Sequence, residues 1–322
     1  MFTKKTCFSI LLIAVMLVTS ILAGCSGNAD QTTTGQQGNS AAKRTVKHEL
    51  GTLEFTTPPK RIVVLDMYLL DIATALGIQP VGVAQEELNN KSLPGYLKSR
   101  VTNSFTWVGS RKEPSLEMIA SLKPDLIVAD LQRHKEAYPQ LSKIAPTMVV
   151  KGSGGQDWKQ IVKSLAIALN MPERGDQVIK QYEQKVAQAK TALSKAGTLK
   201  VLPITIYPKQ KVRIYTADSF TGTVLQDMGL TVPFRADGQP FIETGAEKLA
   251  DIKADQYLLL QSPAYTKGVD WKNTPVFKDL PAVKAGKVVP VQMETWSFYR
   301  GPLAAQVIAD EAVKLLANKQ AK

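Results

Sequence analysis

Arg111, Arg133 and Arg300 each follow an apolar, β-branched run or stand in the loop after one. Arg235 lies in a loop shortly before a helix expected from Gly245 to Ile252. A guanidinium is planar, stays charged at any physiological pH and matches a carboxylate in bidentate fashion. In open α/β sheets, ligands bind beyond the carboxyl ends of the strands. Any one of these arginines serves equally well in a structural salt bridge, but four at loop ends point to a shared anionic ligand. Arg213 falls inside a strand, where its side chain is as free to point inward. Trp296, Phe298 and Tyr299 sit in a loop rather than at core spacing, either shielding an apolar face of a ligand or packing an interface. Tyr68 and Tyr215 complete the aromatic candidates. His134 reads as a surface residue or as one standing behind the ligand-contacting layer. With only two histidines in 322 residues, a cage for a bare metal ion is not expected.

The elements that must position these residues are clearest between 108 and 134. Pro114 and Ser115 open a helix with Leu116, Ile119, Ala120 and Leu122 as its apolar positions, and Lys123-Pro124-Asp125 stops it. Leu126 to Ala129 is a run suited to a strand buried on both faces. Arg111 then precedes the helix, Arg133 and His134 follow the strand, and Glu117 is on the helix, away from the arginines. Upstream, Arg61 to Leu65, a helix from about Met67 to Leu76, and Pro80 to Ala84 repeat strand, helix, strand; Ala145 to Val150 adds another strand. Short links between such units argue for a parallel, helix-flanked sheet. Thr45 to Phe55 reads as an edge strand and turn.

After a helix from Asp157 to Asn170, the segment Met171 to Gly175 reads as a break, and Asp176 to Ala196 as one long helix. Its place midway along the chain makes it a connector rather than a member of either core. The pattern then restarts: strands at Lys200–Tyr207 and Lys211–Tyr215 joined by Pro-Lys-Gln, a helix at Thr221–Met228, strands at Asp255–Leu260 and Val288–Val291, and a closing helix from Pro302 to Leu316. Residues 246–255 echo 115–125: a helix with an early glutamate, a lysine-containing turn, an aspartate, then a strand. Glu247 thus corresponds to Glu117, and the chain reads as two lobes.

The amino-terminal segment is not part of that fold. Lys4 and Lys5 precede an apolar run from Phe8 to Leu22, too short and wrongly flanked to span a bilayer. Leu22-Ala23-Gly24-Cys25 follows at once and has the form of a bacterial lipoprotein processing site. Ser26 to Ala42 is polar, small and low in apolar residues, as a flexible tether would be. Lipid on Cys25 would hold the domain at the extracytoplasmic face of a cell membrane. The formal charge is +12; losing residues 1–24 removes two lysines and no acid, leaving +10. No basic run interleaved with aromatics marks a nucleic-acid surface, so the charge favours an anionic ligand. The two cysteines, Cys7 and Cys25, both lie in this segment, so the cores must hold without disulfides.

Together with the processing site, the two lobes and their matching glutamates, the stretch EPSLEMIASLKPDLIVA resembles the substrate-binding lipoproteins of ABC importers for ferric siderophores and vitamin B12. The resemblance covers about residues 45–320. It implies an α/β fold of two Rossmann-like lobes with parallel-type sheets, joined by one long helix, with the ligand cleft between the lobes. The expected divisions are a signal peptide at 1–24, a tether at 25–44, an amino-terminal lobe at 45–170, the connecting helix at 171–197 and a carboxy-terminal lobe at 198–322. By the same resemblance Glu117 and Glu247 dock on the permease, one per lobe. Within the family, VGSRKEPSLE, IVADLQRH and Glu294-Thr295-Trp296 followed by Arg300-Gly301 are most similar to the binders of ferric dicitrate. Ligand contacts would then fall to Arg111, Arg133, Arg235, Arg300, Trp296, Tyr215 and Tyr68. Iron would arrive already chelated, with no cofactor and no metal ligated by the protein. The expected partners are the permease and its ATPase, and the protein is expected to be a monomer. Catecholate or hydroxamate chelates are the alternatives; hydroxamates, being nearly neutral, need fewer cations. An extracellular enzyme acting on the chelate is a remote alternative, since no GxSxG, HExxH or nucleotide-loop motif is present.

Overall fold

Ile62-Val63-Val64 and Leu126 to Asp130 are buried at every position, which is how strands covered on both faces must read. The structure is a computed structural model and describes residues 43–87, 91–152, 155, 157–194 and 199–317. The expected signal peptide, Cys25 and the tether as far as residue 42 lie outside the described residues.

A hairpin, β1 (Arg44–His48) and β2 (Gly51–Phe55), forms a small separate sheet. The first main sheet contains β3 (Ile62–Val64), β4 (Gly82–Gln85), β5 (Thr106–Ser110), β6 (Leu126–Asp130) and β7 (Thr147–Val150). Its order is β5-β4-β3-β6-β7 and every pairing is parallel. The chain runs to one side from β3 through β4 to β5, then returns to the other side at β6. The carboxyl ends of β3 and β6 therefore flank a topological switch point, the place where open sheets bind ligands. Helices α1 (Met67–Ala75), α2 (Gly95–Lys98), α3 (Leu116–Ser121), α4 (Leu131–His134) and α5 (Tyr138–Ile144) fill its connections.

The second main sheet has the order β10-β9-β8-β11-β12, formed by β8 (Val201–Ile206), β9 (Lys211–Tyr215), β10 (Phe241–Gly245), β11 (Gln256–Gln261) and β12 (Val288–Gln292). Here β8, β11 and β12 are parallel neighbours, whereas β9 pairs antiparallel with both β8 and β10. A parallel pair needs a long crossover, but Pro208-Lys209-Gln210 is a tight turn, closed by Tyr207 N–H donating to the Lys211 carbonyl at 2.8 Å. The mixed sheet follows from that turn. Strand β10 was not expected from the sequence.

Between the sheets in sequence lie α6 (Asp157–Ala168) and α7 (Pro172–Leu193). The break expected at Met171 to Gly175 is shorter than that, because Pro172 opens α7 at a position where its missing N–H costs nothing. The 22 residues of α7 span ~33 Å. The helix is also more than a connector. Val178, Ile179, Tyr182, Val186, Ala189 and Leu193 belong to one core cluster with residues of α1, α6, α8 (Phe220–Asp227) and α10 (Pro302–Ala312). Trp158 and Tyr182 meet edge to face with centroids 5.0 Å apart, and Gly175 lets α6 approach so closely that a Cβ there would stand 2.8 Å from that of Ala166. The remaining short helix, α9 (Pro281–Lys284), precedes β12. Beneath the outer faces of the two sheets lie two smaller cores.

Candidate ligand-binding cleft

The first-lobe side of the cleft is built at strand ends. After β3, Asp66 caps α1, accepting from the Tyr68 N–H at 3.4 Å, and its side chain is fully buried. After β6, Asp130 caps α4, accepting from the Arg133 N–H at 3.2 Å. The Arg133 guanidinium reaches both carboxylates, at 3.1 Å from Asp130 and 3.3 Å from Asp66. Arg111, after β5, forms an ion pair with Glu86, after β4, and lies 4.0 Å from Asp66. His134 ties these ends together. Its Nδ1 accepts the Asp130 N–H at 3.0 Å, so the proton sits on Nε2, which donates to the Arg111 carbonyl at 2.9 Å. Burial lowers its pKa and favours this neutral form.

The second lobe closes the cleft with Arg300 and the strands β9 and β10. Arg300 Nε donates to the Gly152 carbonyl at 3.0 Å, and its guanidinium carbon lies 4.9 Å from the centroid of the Tyr68 ring. Tyr68, fully buried, donates to Asp130 at 2.9 Å. Arg213 stacks 4.1 Å over Phe241 and bonds Glu243 at 2.6 Å. Together Arg111, Lys112, Arg133, Lys211, Arg213 and Arg300 line a cavity of about 510 Å³ in which Glu243 is the single carboxylate among the described residues. Tyr207, Tyr265, Phe241 and Phe298 supply its aromatic wall. Arg133 and Arg300 also line an adjoining cavity of about 310 Å³ that Tyr215 borders. A third, of about 720 Å³, shares Lys112, Tyr265 and Phe298 with the first but carries Glu86, Glu87, Glu113 and Glu294. The cleft is thus basic in one part and acidic in the next.

This geometry meets a family match. Residues 62–293 fit the model of the periplasmic binding protein family. The chain belongs to that family. Among its relatives, the Fe(3+)-citrate-binding protein YfmC of Bacillus subtilis is 33% identical, over 97% of this chain and 96% of the relative. The Fe(3+) dicitrate-binding periplasmic protein FecB of Escherichia coli is 32% identical, over 84% of this chain and 89% of its own length. Among solved structures, SirA of Staphylococcus aureus complexed with staphyloferrin B superposes with a TM-score of 0.73 at 29% identity, covering 84% of this chain and 98% of that one.

Within this periplasmic binding protein the expected residues separate. Arg111, Arg133 and Arg300 come together, and Tyr215 reaches the smaller cavity. Arg235 is different: it is exposed, bonds Asp218 at 2.8 Å and does not line these cavities. Trp296 is fully buried and donates to Glu311 at 2.6 Å. The wide helical turn at Glu294–Phe298 turns it into the core and leaves Ser297 and Phe298 for the cleft. Tyr68 lies under Arg300 and supports it rather than lining a cavity.

Arg213, Lys211 and Lys112 join the cleft without having been expected there, and Asp66, Glu86 and Asp130 stand as buried counter-charges. Asp66 and Asp130 close the runs VVLD and LIVAD, a position at strand ends that could have flagged them. Burial raises the pKa of Glu86 to about 7, against the pull of Arg111.

Glu117 is exposed in the first turn of α3, and Glu247 is exposed in the turn at Ala246–Asp251, which is a 3-10 helix rather than the expected α-helix. Each connects an edge strand, β5 or β10, to its neighbour-but-two in sheet order, β6 or β11.

Proposed function

We propose that this protein captures an anionic ferric chelate, iron(III) dicitrate first among them, and delivers it to an ABC permease. The observation that carries this reading is the cavity with six basic side chains and one carboxylate at the strand ends between the two sheets. Ferric dicitrate is compact and rich in carboxylates, and guanidinium groups already held in place by Asp66, Asp130 and Gly152 lose little freedom on meeting it. Relatives named for Fe(3+)-citrate and Fe(3+) dicitrate support the same ligand. The role is binding and hand-over, not catalysis.

A catecholate chelate is the second reading, favoured by Phe241 and Phe298 beneath Arg213 and Arg111. Glu117 and Glu247 would engage basic residues on the permease halves; exposed pairs add ~0–1 kcal/mol each and chiefly fix orientation. Lipid on Cys25 would anchor a monomer at the membrane. The test is a titration of the purified protein with ferric dicitrate, a ferric catecholate and ferrioxamine, followed by tryptophan fluorescence. Saturation by ferric dicitrate at the lowest concentration is expected; saturation by ferrioxamine alone would sink the reading.

A further inference from the structure

Arg111 differs from Arg133, Arg213 and Arg300, the other three arginines of the cleft, in how it is held, Arg213 donating to the Glu243 carboxylate. Arg133 donates to a capping carboxylate, and Arg300 to backbone carbonyls. Arg111 is 8% exposed, yet its Nε has no hydrogen-bond partner among the described residues. Its close contact is the ion pair with Glu86, whose two oxygens are buried and, among the described residues, have no hydrogen-bond partner beside that ion pair. The neighbouring buried carboxylates are held by more: Asp130 accepts from Tyr68 and Arg133, and Asp66, though its Oδ2 makes only ion pairs, accepts the Tyr68 N–H through Oδ1. Glu86 also stands on a boundary. Its partner Arg111 lines the basic cavity, while Glu86 itself lines the acidic one.

We propose that Glu86 is the chain's own stand-in for a ligand carboxylate: it occupies the Arg111 guanidinium, and an entering anion displaces it toward the acidic cavity as it takes up one proton from solvent. The exchange balances. The ligand carboxylate takes the charge-assisted bonds to Arg111, and the displaced Glu86 becomes a neutral acid. Neutrality is required because two carboxylates cannot share one guanidinium at close range without repulsion. Among the described residues, the charged and titratable groups around Glu86 are Arg111, Arg133, Arg300 and Lys112, which favour its ionised form, and Asp66, Glu87, Glu113, Glu294, Tyr265 and Tyr299, which do not. Its raised pKa leaves it poised to accept that proton near neutrality. Such a residue sets specificity. It penalises weakly charged ligands, which cannot displace it, and admits those that bring a carboxylate or an equivalent oxyanion.

The inference rests on the anionic-chelate reading above, and the experiment separates the two. Wild-type protein and Glu86→Gln are titrated calorimetrically with ferric dicitrate and with ferrioxamine between pH 6 and 8, in buffers of different ionisation enthalpy. Wild-type protein should take up about half a proton per ferric dicitrate bound at pH 7, where Glu86 is already half protonated, and close to one at pH 8. Glu86→Gln should bind ferric dicitrate about tenfold more tightly at pH 8, the scale of a coupling between adjacent groups. It should also lose that proton uptake and leave ferrioxamine affinity unchanged. If Glu86 merely holds Arg111 in position, Glu86→Gln will bind ferric dicitrate no better or worse, and the inference falls while the ligand reading stands. If wild-type protein binds ferric dicitrate with no proton uptake, the inference also falls, whether or not the variant folds. If neither protein binds ferric dicitrate, the ligand reading falls first and takes this inference with it.

Discussion

Asp71, on α1 of the first lobe, caps the first turn of α10 in the second: its carboxylate accepts the Leu303 N–H at 2.9 Å. The Ala304 N–H reaches its other oxygen at 2.9 Å, and Tyr96 donates to it at 2.9 Å as well. Gly301 gives it room, since a Cβ there would collide with the carboxylate. One buried side chain thus supplies a helix cap across the join between the lobes. Replacing Asp71 with Ala should lower unfolding stability by ~1–3 kcal/mol, the cost of leaving buried donors unmade. Urea unfolding followed by circular dichroism checks this; a change within a few tenths would remove the clamp from the account.

Asp71 also predicts a pH dependence. Burial pushes its pKa up to about 7, against three donors that pull it back. Glu86 is raised to about 7 as well. A carboxyl raised on folding contributes stability that is fully present below its unfolded pKa and is lost as pH rises through the folded one. Wild-type stability should therefore carry a falling component between about pH 4 and 7, and Asp71→Asn should flatten it. Urea midpoints for both proteins across that range decide the matter, because their difference isolates this one group from the buried His134.

The proposed function separates the arginines that line the basic cavity from Arg235, which does not. Arg300→Ala and Arg133→Ala should each weaken ferric dicitrate binding by ~1–3 kcal/mol, the worth of a charge-assisted bond. Arg235→Ala should leave it unchanged, since Arg235 pairs with Asp218 outside the cleft. Titration of all three at one ionic strength would contradict this assignment if Arg235 proved the costly one.

Glu117→Ala and Glu247→Ala should leave ferric dicitrate affinity within error and abolish iron uptake in cells that depend on this protein. Both side chains are exposed and away from the basic cavity. Binding assays beside radio-iron uptake distinguish docking from ligand contact; a fall in affinity would move either residue into the site.

Much of the scaffold was readable before any coordinates. Buried parallel strands are near-continuous apolar runs, so β3, β6 and β7 announce themselves locally. The mixed second sheet departs from the parallel-type sheets expected: the three residues between β8 and β9 leave no room for a crossover, and β10 was missed because its edge position leaves Phe241 and Glu243 exposed and its pattern weak. Trp296 shows the other limit. Its loop context resembled a ligand contact, and only the turn at Glu294–Phe298 with Glu311 fifteen residues on put the indole in the core.

By itself, then, the sequence determined the α/β class, the arginine supply at strand ends and the pair of glutamates, since these depend on local pattern and composition. The tertiary structure decided which charges meet. Glu86 finds Arg111, Asp66 finds Arg133 and Asp71 finds Leu303 across separations of 25, 67 and 232 residues. No local signal carries such pairings, because the sheet order and the packing of one lobe on the other bring them together.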